Sequence, residues 1–94
     1  MHGAIVNANA KVGNNCIINS KALVEHDASV GDNCHISTGA IINGATSIGS
    51  DSFIGSGSVI KEGIALGSRC VVGMGISVRH NYAEDSLILT GSKQ

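Results

Sequence analysis

Ninety-four residues allow one domain with only a modest core of its own. With 13 glycines, no proline, no tryptophan, one Phe and one Tyr, a wide interior filled by aromatic rings is excluded. A narrow one lined by Val, Ile and Ala is implied. Six basic against seven acidic residues leave a formal charge of -1, which gives no electrostatic footprint for nucleic acid. No apolar run approaches the roughly 20 residues that span a bilayer, so no membrane partner is expected.

The chain opens on Met1-His2-Gly3-Ala4, without the basic and long apolar stretches of a secretion signal. Cys16, Cys34 and Cys70 are odd in number and lack a CxxC spacing, so neither a disulfide framework nor a zinc site is expected. A reducing, cytoplasmic setting is the expectation.

From Val6 onward the chain repeats. Every sixth residue from Val6 to Val78 is aliphatic, although only about a quarter of the chain is Val, Ile or Leu, so accident is a poor explanation. Four residues after most of these stands something small, as at Ala10, Cys16, Ala22, Ala28, Cys34 and Ala40. Ile64, Ile76 and Tyr82 break that second rule. A period of six fits neither a helix face nor a free alternating strand. It fits short strands bent at regular corners, with an aliphatic and a small side chain turned inward on each side.

A longer period lies over the first. Glycine follows the aliphatic residue at Gly13, Gly31, Gly49 and Gly67, always 18 apart, which makes each coil a triangle of three hexads. Glycine and asparagine suit corners that need positive φ. Residues 18 apart then stack on neighbouring coils about 4.8 Å from each other. The expected fold is all-β, a single-stranded parallel β-helix of four to five coils.

The repeats run over about residues 5–80, residues 81–85 read as an exit turn and 86–90 as a last short strand, with no linker or second domain within 1–94. Flat sides and open ends favour association, and a homotrimer about a threefold axis is expected.

The stretch Leu23-Val24-Glu25-His26-Asp27-Ala28 carries the chemistry. His26 is a candidate general base, because a carboxylate on one ring nitrogen fixes the tautomer and raises basicity at the other. Either Asp27 or Glu25 can supply that carboxylate. His35 lies nine residues on, half a coil away, so on one prism it faces elsewhere. If both serve one site, the site lies between subunits. The 18-residue columns then give a cleft with His26 and Gly44 on one wall and His35, Ser56 and Met74 on the other.

His80 shares the His26 column but sits three coils off, about 14 Å by strand spacing, and reads as surface. A catalytic zinc needs a clustered histidine set that His2, His26, His35 and His80 do not provide. The cysteines read as core fillers. The pairs Gly55/Gly57 and Gly73/Gly75 read as close-packed corners rather than a phosphate loop, since no helix follows them.

The segments Ile17-Ile18-Asn19-Ser20, Val24-Glu25-His26-Asp27, Val30-Gly31-Asp32-Asn33-Cys34-His35-Ile36-Ser37 and Ile54-Gly55-Ser56-Gly57-Ser58-Val59-Ile60 resemble the sugar acetyltransferases of bacterial surface-glycan synthesis, of the NeuD/PglD type. The resemblance implies a left-handed β-helix, against the usual crossover hand. It implies acetyl transfer from acetyl-CoA to an amine or hydroxyl of a nucleotide-linked sugar, with active sites between the subunits of a trimer. On matching positions it makes His26 the general base and Asp27 the residue that orients it. His35 then contacts acetyl-CoA, the Gly44 amide polarises the thioester carbonyl, and Ser56 and Met74 line the pantetheine path.

Two features depart from the family. Its members begin with a nucleotide-sugar-binding α/β domain of about a hundred residues, and this chain starts where that domain would end. Their Gly-x-Pro-Ala-Lys tail is replaced by Thr90-Gly91-Ser92-Lys93-Gln94. Competing readings are a non-catalytic β-helix that oligomerises, and an acyltransferase with an amino acid or small antibiotic as acceptor.

Overall fold

The computed structural model describes residues 3–89. His2 and the altered tail from Thr90 lie outside the described residues. Each hexad gives the backbone two extended residues before it turns, so the strands are all of two residues. The first coil contains β1 (Ile5–Val6), β2 (Lys11–Val12) and β3 (Ile17–Ile18). The second contains β4 (Leu23–Val24), β5 (Ser29–Val30) and β6 (His35–Ile36). The third contains β7 (Ile41–Ile42), β8 (Ser47–Ile48) and β9 (Phe53–Ile54). The fourth contains β10 (Val59–Ile60), β11 (Ala65–Leu66) and β12 (Val71–Val72). The last contains β13 (Ser77–Val78) and β14 (Leu87–Ile88).

Every third strand stacks, giving three parallel sheets. The first face has the order β1-β4-β7-β10-β13, the second β2-β5-β8-β11, and the third β3-β6-β9-β12-β14. Partners are 18 residues apart, as in Val6 with Val24, Val12 with Val30 and Ile18 with Ile36. This is the triangular parallel β-helix expected from the two periods.

Inside, the hexad aliphatics form the core, with Val24, Ile36, Ile42, Ile54, Ile60, Val72 and Val78 each at 0% exposure. Burying each such side chain contributes roughly 1.5–3 kcal/mol. The small inward residues have a second task. Cys34 Sγ donates to the Gly49 carbonyl at 3.2 Å, Ser52 Oγ to Gly67 at 3.4 Å, Thr46 Oγ1 to Lys61 at 3.0 Å and Ser58 Oγ to Gly73 at 2.6 Å. Each satisfies a carbonyl at the next coil's corner that the sheets leave over. Burial pushes the Cys34 thiol pKa up, which keeps it a protonated donor and not a nucleophile.

The corners follow one rule. The second corner residue adopts left-handed φ, as at Asn9 (60°), Asp27 (62°), Asn33 (57°) and Arg69 (58°). Its amide donates to the first corner carbonyl of the coil before, as from Ala45 to His26 at 3.2 Å and from Gly63 to Gly44 at 3.0 Å. The glycines spaced by 18 are not at these positions. They are required by close approach: a Cβ on Gly31 would lie 2.6 Å from Ser50 Oγ and 2.7 Å from Ser50 N. On Gly49 it would meet the Ser68 nitrogen and lie 2.5 Å from the Gly67 carbonyl carbon. Positive φ falls to asparagine and glycine, as the sequence suggested (Asn9, Asn15, Asn33, Gly39, Gly57, Gly63 and Gly75), and also to Asp, Lys, Ala and Arg, but not to the glycines spaced by 18.

Outward positions differ by face. The first face shows Ile5, Leu23, Ile41 and Val59, and the third shows Ile17, His35, Phe53, Val71 and Leu87. The second shows Lys11, Ser29, Ser47 and Ala65, small except at its open end.

The last coil is shorter. Leu66 bridges Tyr82, and Val71–Val72 pair with Leu87–Ile88. Both offsets are 16 instead of 18, so two residues are missing between Val78 and Tyr82. The Asn81 side chain repairs that corner by accepting the Ala65 amide at 2.8 Å. Residues 81–85 therefore carry a turn of the helix, and Tyr82 stands where the next hexad aliphatic belongs.

The two kinds of corner position should respond oppositely to substitution. Gly49→Ala is expected to cost about 1–3 kcal/mol, because backbone atoms cannot yield to the new methyl. Lys21→Gly, at φ 61°, is expected to be neutral or to stabilise by up to about 1 kcal/mol. Denaturant midpoints of both variants check this.

Candidate active site

His26 is the first residue of the corner that follows β4, on the edge between the first and second faces. The corner puts its side chain outside the prism, and 69% of it is exposed. Asp27, fixed at left-handed φ by the same corner, turns its carboxylate back to the ring, with Oδ2 3.4 Å from Nδ1. That is a long contact by hydrogen-bond standards. Glu25 is engaged elsewhere, because Asn7 Nδ2 donates to its Oε1 at 2.7 Å. The choice between the two acids, open in the sequence, therefore falls to Asp27. The tautomer protonated on Nδ1 would direct that proton at Asp27 and leave Nε2 as an acceptor.

Gly44 occupies the equivalent corner one coil on. A Cβ there would lie 3.1 Å from His26 Cε1, 3.5 Å from Nδ1 and 3.3 Å from the His26 carbonyl oxygen. The imidazole thus rests on the bare Cα of Gly44, and any side chain would displace it. The Ala45 amide is spent on the His26 carbonyl, whereas the Gly44 amide makes no hydrogen bond among the described residues. The His26 imidazole and a spare amide donor therefore belong to neighbouring corners of successive coils. They border a shallow groove of about 260 Å³ lined also by Glu25, Asn43, Ala45 and Glu62.

The other expected residues lie elsewhere on the prism. His35 is the outward residue of β6 on the third face and is half-buried. Its Nε2 lies 2.9 Å from Asn19 Nδ2, and its ring centroid is 5.0 Å from that of Phe53, tilted by 56°. With the Asn19 amide as donor, Nε2 accepts and the ring proton sits on Nδ1. Ser56 and Met74 are first corner residues after β9 and β12, on the edge between the third and first faces. Both are exposed, Met74 at 73%.

One chain thus brings together His26, Asp27 and Gly44 and holds His35, Ser56 and Met74 apart from them. Asn19 and Phe53, which lock His35, were not singled out in the sequence. Phe53 was reachable as the residue 18 beyond His35, but Asn19 lies 16 before it and off the column. Among the described residues no group of three His, Cys, Asp or Glu side chains is placed to hold a metal ion.

Residues 9–44 match the bacterial transferase hexapeptide (six repeats), and residues 45–79 match the hexapeptide repeat of succinyl-transferase. The chain is a hexapeptide-repeat β-helix. No curated protein sequence matches it significantly.

Among solved structures, the hexapeptide β-helix is similar to perosamine N-acetyltransferase from Caulobacter crescentus, in a histidine-to-asparagine variant bound to CoA and GDP-perosamine. Identity is 31% and the TM-score 0.91, over 93% of this chain and 41% of that one. The acetyltransferase domain of PglB from Neisseria gonorrhoeae shares the fold, at 20% identity and a TM-score of 0.59 over 89% of this chain and 53% of that one. The same domain in complex with acetyl coenzyme A gives 19% and 0.58. The hexapeptide β-helix therefore spans about half or less of the length of these proteins.

Gly44→Ala tests the seat of the imidazole. The new methyl is expected to move the His26 Cε1 resonance in a histidine NMR spectrum while His35 and His80 stay in place. Stability should change by less than about 1 kcal/mol, since the contact is with the free end of a side chain. An unmoved His26 signal would mean that the ring does not rest there.

Proposed function

We propose that this hexapeptide β-helix is the catalytic part of an acetyltransferase that moves an acetyl group from acetyl-CoA to an amine or hydroxyl of a nucleotide-linked sugar. The observation that carries the proposal is the seating of the Asp27-oriented His26 ring on Gly44, beside an amide with no partner. The similarity to an N-acetyltransferase that binds CoA and GDP-perosamine supplies the substrate classes.

In this mechanism His26 Nε2 takes the proton from the acceptor amine or hydroxyl as its nitrogen or oxygen attacks the thioester carbon. The proton on Nδ1 stays hydrogen-bonded to Asp27, which stabilises the imidazolium that forms. The Gly44 amide donates to the oxygen that gains negative charge. The new bond to the acetyl carbon forms, the carbon–sulfur bond breaks, and the proton held by His26 returns to the departing CoA thiolate. Ser56 and Met74 line the pantetheine, with His35 beside it.

Completing that site requires a neighbouring chain, and we place it in a homotrimer. For the His26 edge of one chain to face the Ser56–Met74 edge of the next, the edge between the second and third faces must turn to the axis. The second face of one chain then covers the third face of its neighbour. Shape favours this pairing, because Ser29, Ser47 and Ala65 are small where His35, Phe53 and Val71 are bulky. The first face remains outward. A reducing, cytoplasmic location belongs to the same proposal and suits three free cysteines, two of them buried.

His26→Ala is expected to lower kcat by about 10²–10⁴-fold with little change in the KM for acetyl-CoA, followed as CoA thiol release with amino-sugar nucleotides. Unchanged turnover would refute the mechanism. Phe53→Asp is expected to convert the trimer to a monomer of 9.5 kDa by light scattering, because it buries a charge in the interface. Ile41→Asp, on the outward face, should leave the trimer intact.

A further inference from the structure

Two carboxylates flank His26 in the chain, and they are held differently. Asp27 turns its Oδ2 toward Nδ1 of the ring at 3.4 Å, and among the described residues it makes the one acid contact to His26. Glu25 is tied to another coil instead, with Asn7 Nδ2 donating to its Oε1 at 2.7 Å. The tether is the shorter contact of the two.

The direction of the tether matters. Asn7, Glu25 and Asn43 follow β1, β4 and β7, so they occupy one position on three successive coils. Bonding to Asn7 draws the Glu25 carboxylate toward the first coil. The spare Gly44 amide lies on the third, on the opposite side of His26. Asn43, the neighbour on that side, is turned onward, its Nδ2 donating to the Ile60 carbonyl at 3.0 Å. Glu25 is thus held from one side only. It also lines the groove at His26, so a freed carboxylate has open space beside the ring.

We infer that Asn7 is a positioning residue that holds the Glu25 carboxylate off the His26 ring and off the Gly44 amide. The inference rests on the proposed function for its effect on rate, and on the contacts alone for its effect on the ring. Release of Glu25 has two consequences. A second anion beside the imidazole favours its protonated form, which raises the pH needed to free the base. A carboxylate turned toward the third coil opposes the negative charge that gathers beside the Gly44 amide during transfer, which slows the reaction at every pH. The other charged groups around the ring are Asp27 on its own corner and Glu62 two coils on, with Lys61 beside Glu62. The coil before presents Ala8 in the same column, and the coil after presents Gly44 and Ala45. The hydrogen bond of the Asn7 side chain goes to Glu25, so Glu25 is the group whose place depends on Asn7. Because Asn7 is exposed, its loss should leave the fold intact.

Histidine NMR on the full chain reads the ring without any acetyl transfer. In Asn7→Ala the pH midpoint of the His26 Cε1 resonance is expected to rise by about half a pH unit, as for an exposed ion pair, while the signals of His35 and His80 keep theirs. Asn7→Gln retains a donating amide and should stay nearer the wild type. Adding Asn7→Ala to Glu25→Gln should produce no rise over Glu25→Gln alone, which closes the cycle on this pair. With an amino-sugar nucleotide as acceptor, Asn7→Ala is expected to lower the plateau kcat about three- to tenfold with little change in the KM for acetyl-CoA. That loss too should vanish in the Glu25→Gln background. An unmoved His26 midpoint in Asn7→Ala, or a rise that survives Glu25→Gln, overturns the inference. A moved midpoint with unchanged kcat overturns the part that concerns the Gly44 amide. A moved midpoint in a chain whose wild type does not turn over refutes the acetyltransferase reading and leaves the placement of Glu25 standing.

Discussion

Closure of a triangular coil in 18 residues is the constraint on which the molecule depends. Two hydrogen-bond systems enforce it. The sheets pair each strand with the one 18 residues on, and the corner amides donate to the corner carbonyls of the coil before. Both fail if one coil is longer or shorter than its neighbour, unless something fills the gap. The last coil shows the exception, where two residues are lost and a side-chain oxygen of Asn81 supplies the missing acceptor. A chain with so little aromatic content relies on this regularity because its interior is only wide enough for one aliphatic layer.

The regularity made the fold legible. Thirteen aliphatic residues at steps of six and four glycines at steps of 18 define the coil, its three sides and its register without any knowledge of tertiary contacts. What periodicity could not convey was the cause of each position. The glycines lie where two backbones touch, and only coordinates separate that from a demand for positive φ. The shortened corner was also hidden, because Asn81 and Tyr82 look like the end of a repeat until their pairing with Ala65 and Leu66 is seen.

The site was legible by halves for the same reason. Column arithmetic placed Gly44 beside His26, and the ring is found on its Cα. It also placed His35, Ser56 and Met74 away from them, as they are. Side-chain choices within one coil lay beyond it. That Asp27 and not Glu25 addresses the imidazole is decided by Asn7, which stands one coil earlier and takes Glu25. That His35 is locked by Asn19 depends on a reach across two unequal positions, for which a period gives no signal.

A repetitive scaffold also explains how a site can be made without strain. Along the edge between the second and third faces, the first-corner amides of Asn14 and Asp32 are taken up by the side chains of Asp32 and Ser50. Along the edge that carries His26 no such side chain intervenes among the described residues, so a row of equivalent donors is left at one-coil spacing. An imidazole on one corner and a glycine on the next are then enough to single out one donor from the row. The backbone there is the same as at every other corner, with the Ala45 amide bound to the His26 carbonyl as Gly63 is to Gly44. Preorganisation in this molecule is therefore a property of the coil stack, and chemical identity is added by substitution at the corners.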